Sequence, residues 1–183
     1  MKLIAKIKYR FAWNNLKQEH QKLVRTRKPL NLDSARYIAV IYPLTDEGIY
    51  RKIEEFVKTL NEKNNRVKVV CYTELKYIPH FYIPRLLQDI LTVKDINWKY
   101  IPVKPFVKDF LADEFDILID LSLTEHFPLL YLAALSKAGL KIGRYEEKHQ
   151  DFYDLMIELP ENASLDYFAE QVIHYLNKIN TES

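Results

Sequence analysis

Residues 37–72 read YIAVIYPLTDEGIYRKIEEFVKTLNEKNNRVKVVCY, and this stretch decides the fold. Tyr37–Tyr42 is a short run of β-branched, aromatic and small apolar residues stopped by Pro43, a length that suits a buried strand rather than a helix. Thr45 or Asp46 can cap the helix that follows, over about residues 46–61, because a short polar side chain there accepts from an unpartnered backbone N–H. Ile49, Ile53, Phe56, Val57 and Leu60 fall on one face of that helix. Asn64-Asn65 makes a turn, and Val67–Tyr72 is a second buried strand. Strand, helix and strand in this order, with a crossover of this length, specify a parallel pair.

The same alternation returns downstream. Pro105–Leu111 reads as a short helix with proline in its first turn, and Phe115-Asp-Ile-Leu-Ile-Asp-Leu121 as a strand. Pro128–Ala138 is a helix that Gly139 is expected to stop, Leu140–Gly143 and Tyr153–Leu159 are strands, and Ser164–Ile179 is an amphipathic closing helix. Residues 73–104, interrupted by Pro79, Pro84 and Pro102, predict a helical piece near 83–92 and a short strand near 98–103. The fold class is therefore α/β: a three-layer, Rossmann-like, mainly parallel sheet of about five or six strands over residues 37–183. It is preceded by a basic N-terminal helical arm, residues 1–36.

That arm lacks Gly and Pro over residues 2–26 and reads as helix, ending before Pro29. Leu3, Ile4, Ile7 and Phe11 recur at helical spacing, and Trp13, Leu16, His20 and Val24 continue on a neighbouring stripe. Of the 27 Lys/Arg and 25 Asp/Glu in the chain, ten basic residues but only Glu19 and Asp33 fall in residues 1–36. The arm thus carries a net +8 and the remainder −6. A basic arm on an acidic body points to an anionic partner.

Three readings of the arm follow. Lys6, Lys8, Arg10, Lys17, Lys22, Arg25, Arg27 and Lys28, interleaved with Tyr9, Phe11 and Trp13, suit RNA or a ribonucleoprotein, where cations meet phosphates and rings stack on bases. The same pattern suits an amphipathic helix on an anionic membrane surface. The plainest reading is a helix packed along the domain with a solvated basic face. The leading expectation is a non-enzymatic binding or adaptor protein that docks this helix on RNA or a ribonucleoprotein.

The chain also excludes several classes. With only Gly48, Gly139 and Gly143, neither a dinucleotide fingerprint nor a phosphate-cradling loop can be built, so no nucleotide cofactor is expected. A single cysteine, Cys71, precludes an internal disulfide and a cysteine zinc site, and His20, His80, His149 and His174 show no metal-ligand spacing. No apolar run is long enough to span a bilayer, and the lysine-bearing start lacks a secretory signal's apolar segment, so a cytoplasmic location is expected. Oligomeric state is not legible in the sequence.

In parallel sheets ligands sit beyond the carboxyl ends of the strands. The polar groups there are Thr45 and Asp46, Thr73 and Glu74, and Ser122, Thr124, Glu125 and His126. They define a candidate small-ligand crevice of Asp46, Thr73, Ser122, Thr124, Glu125 and His126. Asp120, Ser122, Glu125 and His126 include the residue types of a base, a nucleophile and an orienting carboxylate. The structural alternative has Thr124 or Glu125 capping the helix near Pro128 and Asp120 tying a loop, and no catalytic residue is assigned.

Two resemblances add to this reading. Phe115-Asp-Ile-Leu-Ile-Asp-Leu-Ser, Ala133-Ala-Leu-Ser-Lys-Ala-Gly-Leu-Lys-Ile-Gly143 and Asp151-Phe-Tyr-Asp-Leu-Met-Ile157 resemble a small Bacteroidetes family, a domain of unknown function. The resemblance covers most of the chain and implies no activity. The strand, helix and Lys-Ile-Gly segment is also similar to a piece of heptosyltransferase-like glycosyltransferases. Those enzymes pair two Rossmann-like halves around a donor cleft, and this chain has room for one half.

Overall fold

The computed structural model describes residues 2–63 and 65–179, the side chains of residues 2–5 excepted. Six strands form one sheet: β1 Tyr37–Pro43, β2 Arg66–Thr73, β3 Gln88–Thr92, β4 Ile117–Asp120, β5 Leu140–Arg144 and β6 Leu155–Ile157. All neighbours are parallel and the order is β3-β2-β1-β4-β5-β6, which reverses direction between β1 and β4. This is a Rossmann-like order, and its reversal point is where such sheets open a crevice.

Alternation along β1 feeds two cores. Ile38, Val40 and Tyr42 face helices α2 (Glu47–Glu62) and α5 (Leu165–Lys178). Ala39 and Ile41 face the opposite layer, made of α1 (Lys2–Gln21), α3 (Phe106–Ala112) and α4 (Phe127–Leu135). Two-sided burial explains why the strands read as unbroken apolar runs.

The structure departs from the sequence reading in four places. The helical piece near 83–92 is instead an irregular approach to β3, whose Gln88–Thr92 pair with β2. Leu87 sits at φ 65, which no helix accommodates. The strand near 98–103 is a tight loop with one antiparallel bridge, Ile96 to Pro102. Helix α4 ends at Leu135 with Ser136 extended, and no glycine has positive φ. Gly139 instead permits close approach: a Cβ there would lie 3.2 Å from the Asp116 carbonyl and 3.3 Å from Lys28 Cβ. Finally α1 stops at Gln21, because Arg25 turns in to donate to the Ala138 carbonyl (3.0 Å) and to Asp154 (2.6 Å). Leu3, Ile4 and Asn64 lie outside the residues whose side chains are described.

Helix α1 is a layer component. Ala12 and Leu16 are buried against α4, and His20 Nδ1 is 2.9 Å from the Ala134 carbonyl in the last turn of α4. The same carbonyl accepts from Lys141 Nζ at 2.9 Å. These contacts satisfy a helix-end carbonyl that has no partner within the helix. Lys141 is fully buried, and burial, reinforced by the Arg25 guanidinium, brings its ammonium down to about 7.

Two outcomes check this packing. Leu16→Ala should cost about 2–4 kcal/mol in denaturant unfolding through the cavity it leaves; a loss below about 0.5 kcal/mol would mean α1 is not held. Lys141 binds a proton more weakly folded than unfolded, so native stability rises with pH between about 7 and the ordinary value of 10.5. Lys141→Met should therefore be the more stable protein at pH 6, with its advantage shrinking as pH rises through that window; a pH-independent difference contradicts the assignment.

Candidate functional site

The crevice beyond the strand ends is built mainly from the β4–α4 loop and the segment after β5. Its walls include Asp120, Ser122, Thr124, Glu125, His126, Arg144, His149 and Tyr153. Four of the six residues proposed from sequence thus meet here: Ser122, Thr124, Glu125 and His126. Asp46 and Thr73 do not. Asp46 caps α2, accepting from the Ile49 N–H at 3.0 Å and from the Thr45 hydroxyl at 2.8 Å. Those bonds hold its carboxyl below the usual range. Thr73 is buried and accepts from the Leu75 N–H at 3.4 Å.

The members of the crevice are tied to one another. Asp120 accepts from the Tyr153 hydroxyl at 2.6 Å and the Ser122 N–H at 3.0 Å, so it does tie its loop. Burial nevertheless pushes its carboxyl up, and burial with the neighbouring Asp120 pushes the Tyr153 phenol up. Glu125 is the hub of a second set. It pairs with His149 Nε2 at 2.8 Å and Lys148 Nζ at 2.6 Å, and accepts from the Tyr9 hydroxyl of α1. Burial opposes its ionisation, but the bonds from His149, Lys148 and Tyr9 outweigh it and bring the carboxyl down to about 2. Neither Thr124 nor Glu125 caps α4: His126 holds the cap position without a side-chain bond to the helix. Thr124 Oγ1 lies 3.2 Å from His126 Nε2, and His126 Nδ1 lies 3.7 Å from Glu74.

Sequence reasoning missed Tyr9, His149 and Tyr153 here. The one local trace is Gly143, where a Cβ would lie 2.6 Å from the Tyr153 ring, so glycine lets that ring lie over β5 with its hydroxyl on Asp120. The cavity left between these groups is about 20 Å³, room for about one water molecule. A small-molecule site needs several hundred Å³. Base, nucleophile and carboxylate types are present: Tyr153 bonds Asp120, and His149, Lys148 and Tyr9 bond Glu125, while the buried Ser122 hydroxyl has no hydrogen-bond partner among the described residues.

The basic helix presents a different surface. Arg25 and Arg27 both pair with Asp154, at 2.6 and 3.2 Å; the Arg25 side chain is almost wholly buried and belongs to the body, whereas that of Arg27 is exposed. Lys22 pairs with Glu19 at 2.8 Å. Lys6, Lys8, Arg10 and Lys17 are exposed and form no ion pair among the described residues. Lys6, Arg10 and Lys17 are spaced by four and seven, so they share one flank of α1. Lys17 Nζ and Lys148 Nζ each lie 5.8 Å from the Trp13 ring, which also packs on His149 and Phe152. Lys28 is exposed beside Lys137, Glu114 and Asp116. Beyond Lys17, a groove of about 450 Å³ runs to Arg27 and Asp151.

Tyr9 and Trp13 face the body and are not free to stack on a ligand. Phe11 is half exposed and stacks on Trp98, an exposed ring that sequence reasoning had not singled out, at 5.9 Å between centroids. No local pattern marks Trp98, since its neighbour is brought in from a segment far away in sequence.

A family model described as a family of unknown function (DUF6913) matches residues 8–179. No curated protein matches the chain.

The Glu125 hub makes stability depend on pH. Its folded value lies below the ordinary 4.5, so its contribution is complete above that value and is lost as pH falls toward 2. Glu125→Gln should lower stability at pH 7 by about 1–2 kcal/mol, a shift discounted for partial solvent screening. Acid titrations of unfolding should show the gap between variant and wild type closing between pH 4.5 and 2; parallel curves would exclude this role.

Proposed function

The chain belongs to DUF6913, a family of unknown function, and we propose that it is an RNA-binding or ribonucleoprotein-docking protein that uses the exposed flank of α1 without catalysing a reaction. The observation that carries this reading is the set Lys6, Lys8, Arg10 and Lys17: four exposed cations on one helix with no carboxylate partner among the described residues. Lysines held at fixed spacing on a rigid helix give a polyanion phosphate contacts at little ordering cost, and each contact releases condensed counterions. The acidic remainder of the chain disfavours binding elsewhere and so orients the partner on this side.

Two other readings gain less support. An amphipathic helix lying in a membrane needs its apolar stripe free, whereas Ala12 and Leu16 are buried under the fold and Tyr9 and Trp13 pack on Phe127. No described helix is long and apolar enough to cross a membrane. A small-ligand function at the strand-end crevice would have to operate in a water-sized cavity. The same reading has the protein working in the cytoplasm.

Anisotropy titrations with an unstructured RNA oligomer test it. Wild-type affinity should fall steeply with salt, and Lys6→Ala/Arg10→Ala/Lys17→Ala should reduce the log–log slope by about 2, on the order of 0.7 for each phosphate no longer neutralised. Alanine is the best helix former and the sites are exposed, so stability should stay within about 1 kcal/mol. Arg51→Ala/Lys58→Ala, on the far layer, should leave the slope unaltered. Equal slopes for all three proteins, or binding to anionic vesicles but not to RNA, would refute the proposal.

A further inference from the structure

Resting on that reading, we infer that the RNA recognised is single-stranded, and that Phe11 and Trp98 form a platform on which an unpaired base stacks. The two rings lie 5.9 Å apart at 21° to each other. Trp98 is 60% exposed and Phe11 50%, so a large apolar surface faces water on the side of α1 that carries Lys8. Lys99 Nζ lies 5.3 Å from the Trp98 ring and 5.7 Å from that of Phe11. Lys8 precedes Phe11 by three residues and shares its face of the helix. Exposed aromatic faces flanked by positive charge are what sequence-tolerant binding of single strands requires, because every base has a π-face and every linkage a phosphate.

The platform is also rigid, which separates it from a ring that happens to be exposed. Trp98 sits in a loop closed by the Ile96–Pro102 bridge and by hydrogen bonds from Tyr100 N–H to the Asn97 carbonyl (3.0 Å) and from Asn97 N–H to the Ile101 carbonyl (3.0 Å). The Asn97 side-chain oxygen accepts from the Lys99 N–H at 2.8 Å and the Ile101 N–H at 3.1 Å. Tyr100 takes φ 61 at the turn, and its ring meets Tyr9 edge-on at 6.1 Å. The loop is thereby anchored to α1 on the inner side while Trp98 and Phe11 meet on the outer. A ligand stacking there loses little loop entropy on binding. Duplex RNA buries its base faces in its own stack and cannot use such a surface.

Three probes distinguish the possibilities: oligouridine, an abasic phosphodiester oligomer of equal length, and duplex RNA. Wild type should bind oligouridine about tenfold more tightly than the abasic oligomer, the factor expected of one stacked base. Trp98→Ala should erase that preference and leave the salt slope unaltered, Trp98→Phe should keep most of it, and Phe11→Ala should reduce it. Both rings are exposed enough for these variants to fold, which their unfolding midpoints will verify. Equal wild-type affinity for the oligouridine and abasic probes overturns the stacking platform while leaving phosphate binding by α1 intact. A preference for duplex RNA overturns it as well. Failure of the wild type to bind any of the three overturns both this inference and the reading it rests on.

Discussion

Helix α4 is apolar all the way round, and that constrains everything else. Of its nine residues, Phe127, Pro128, Leu129, Leu130, Leu132, Ala133 and Ala134 are buried. A helix with one apolar stripe needs one neighbour; a helix with none but apolar faces needs cover on every side. The sheet covers α4 from below and α3 flanks it. The remaining side faces water unless another element supplies a layer, and α1 does so with Ala12 and Leu16, whose burial repeats the spacing of one helical turn. Polar contacts then fix its register at both ends: Tyr9 on Glu125 at the strand-end side, His20 on the Ala134 carbonyl at the other.

Docking α1 in this way sorts its charges. Once the stripe through Tyr9, Ala12, Trp13, Leu16 and His20 faces inward, the other flanks must carry Lys6, Lys8, Arg10 and Lys17 outward. The basic segment beyond the helix behaves differently because it threads beneath the start of β5. There Lys28 N–H bonds the Gly139 carbonyl at 2.9 Å, and Asp154, which also accepts from the Lys141 N–H at 2.9 Å, takes both Arg25 and Arg27. Among the described residues of this segment, Arg25 is neutralised within the fold, Arg27 and Lys22 pair at the surface, and Lys6, Lys8, Arg10 and Lys17 form no ion pair.

How much of this was legible follows from range. The β1–α2–β2 unit, β4, β5 and the closing helix are encoded by local alternation, periodicity and caps, and their bounds shift by only a few residues. The cap at Asp46 was readable because its acceptor and the Ile49 N–H are three residues apart. Residues 73–104 were not, since β3 is specified by its pairing with β2 rather than by a period of its own, and Leu87 and Tyr100 adopt positive φ without glycine to announce it. The crevice was half legible: the loop after β4 follows from topology, but His149, Tyr153 and Tyr9 arrive from elsewhere in the chain. The need for a cover on α4 was written in Phe127–Leu135 itself, as an apolar helix with no polar face. The resemblance to a piece of glycosyltransferases expected from sequence rests on β4, α4 and β5, a unit whose strand–helix–strand pattern any parallel sheet repeats, and no comparison shows it.

The same packing also shapes the place where this architecture usually holds ligands. A parallel sheet leaves a crevice at its strand ends, and the fold ordinarily fills it with a bound molecule. Here the protein fills it with its own side chains. Gly143 admits the Tyr153 ring, Tyr153 occupies Asp120, and α1 lowers Tyr9 onto Glu125, where His149 and Lys148 complete the set. A buried carboxylate is tolerable only when paired and hydrogen-bonded, so any ligand entering here would have to break bonds that hold α1 in place. On the outside of the cover lie Lys6, Lys8, Arg10 and Lys17, without a carboxylate partner among the described residues, and the exposed rings of Phe11 and Trp98. The helix that lines the strand-end crevice through Tyr9 is also the one that carries Lys6, Lys8, Arg10 and Phe11 outward.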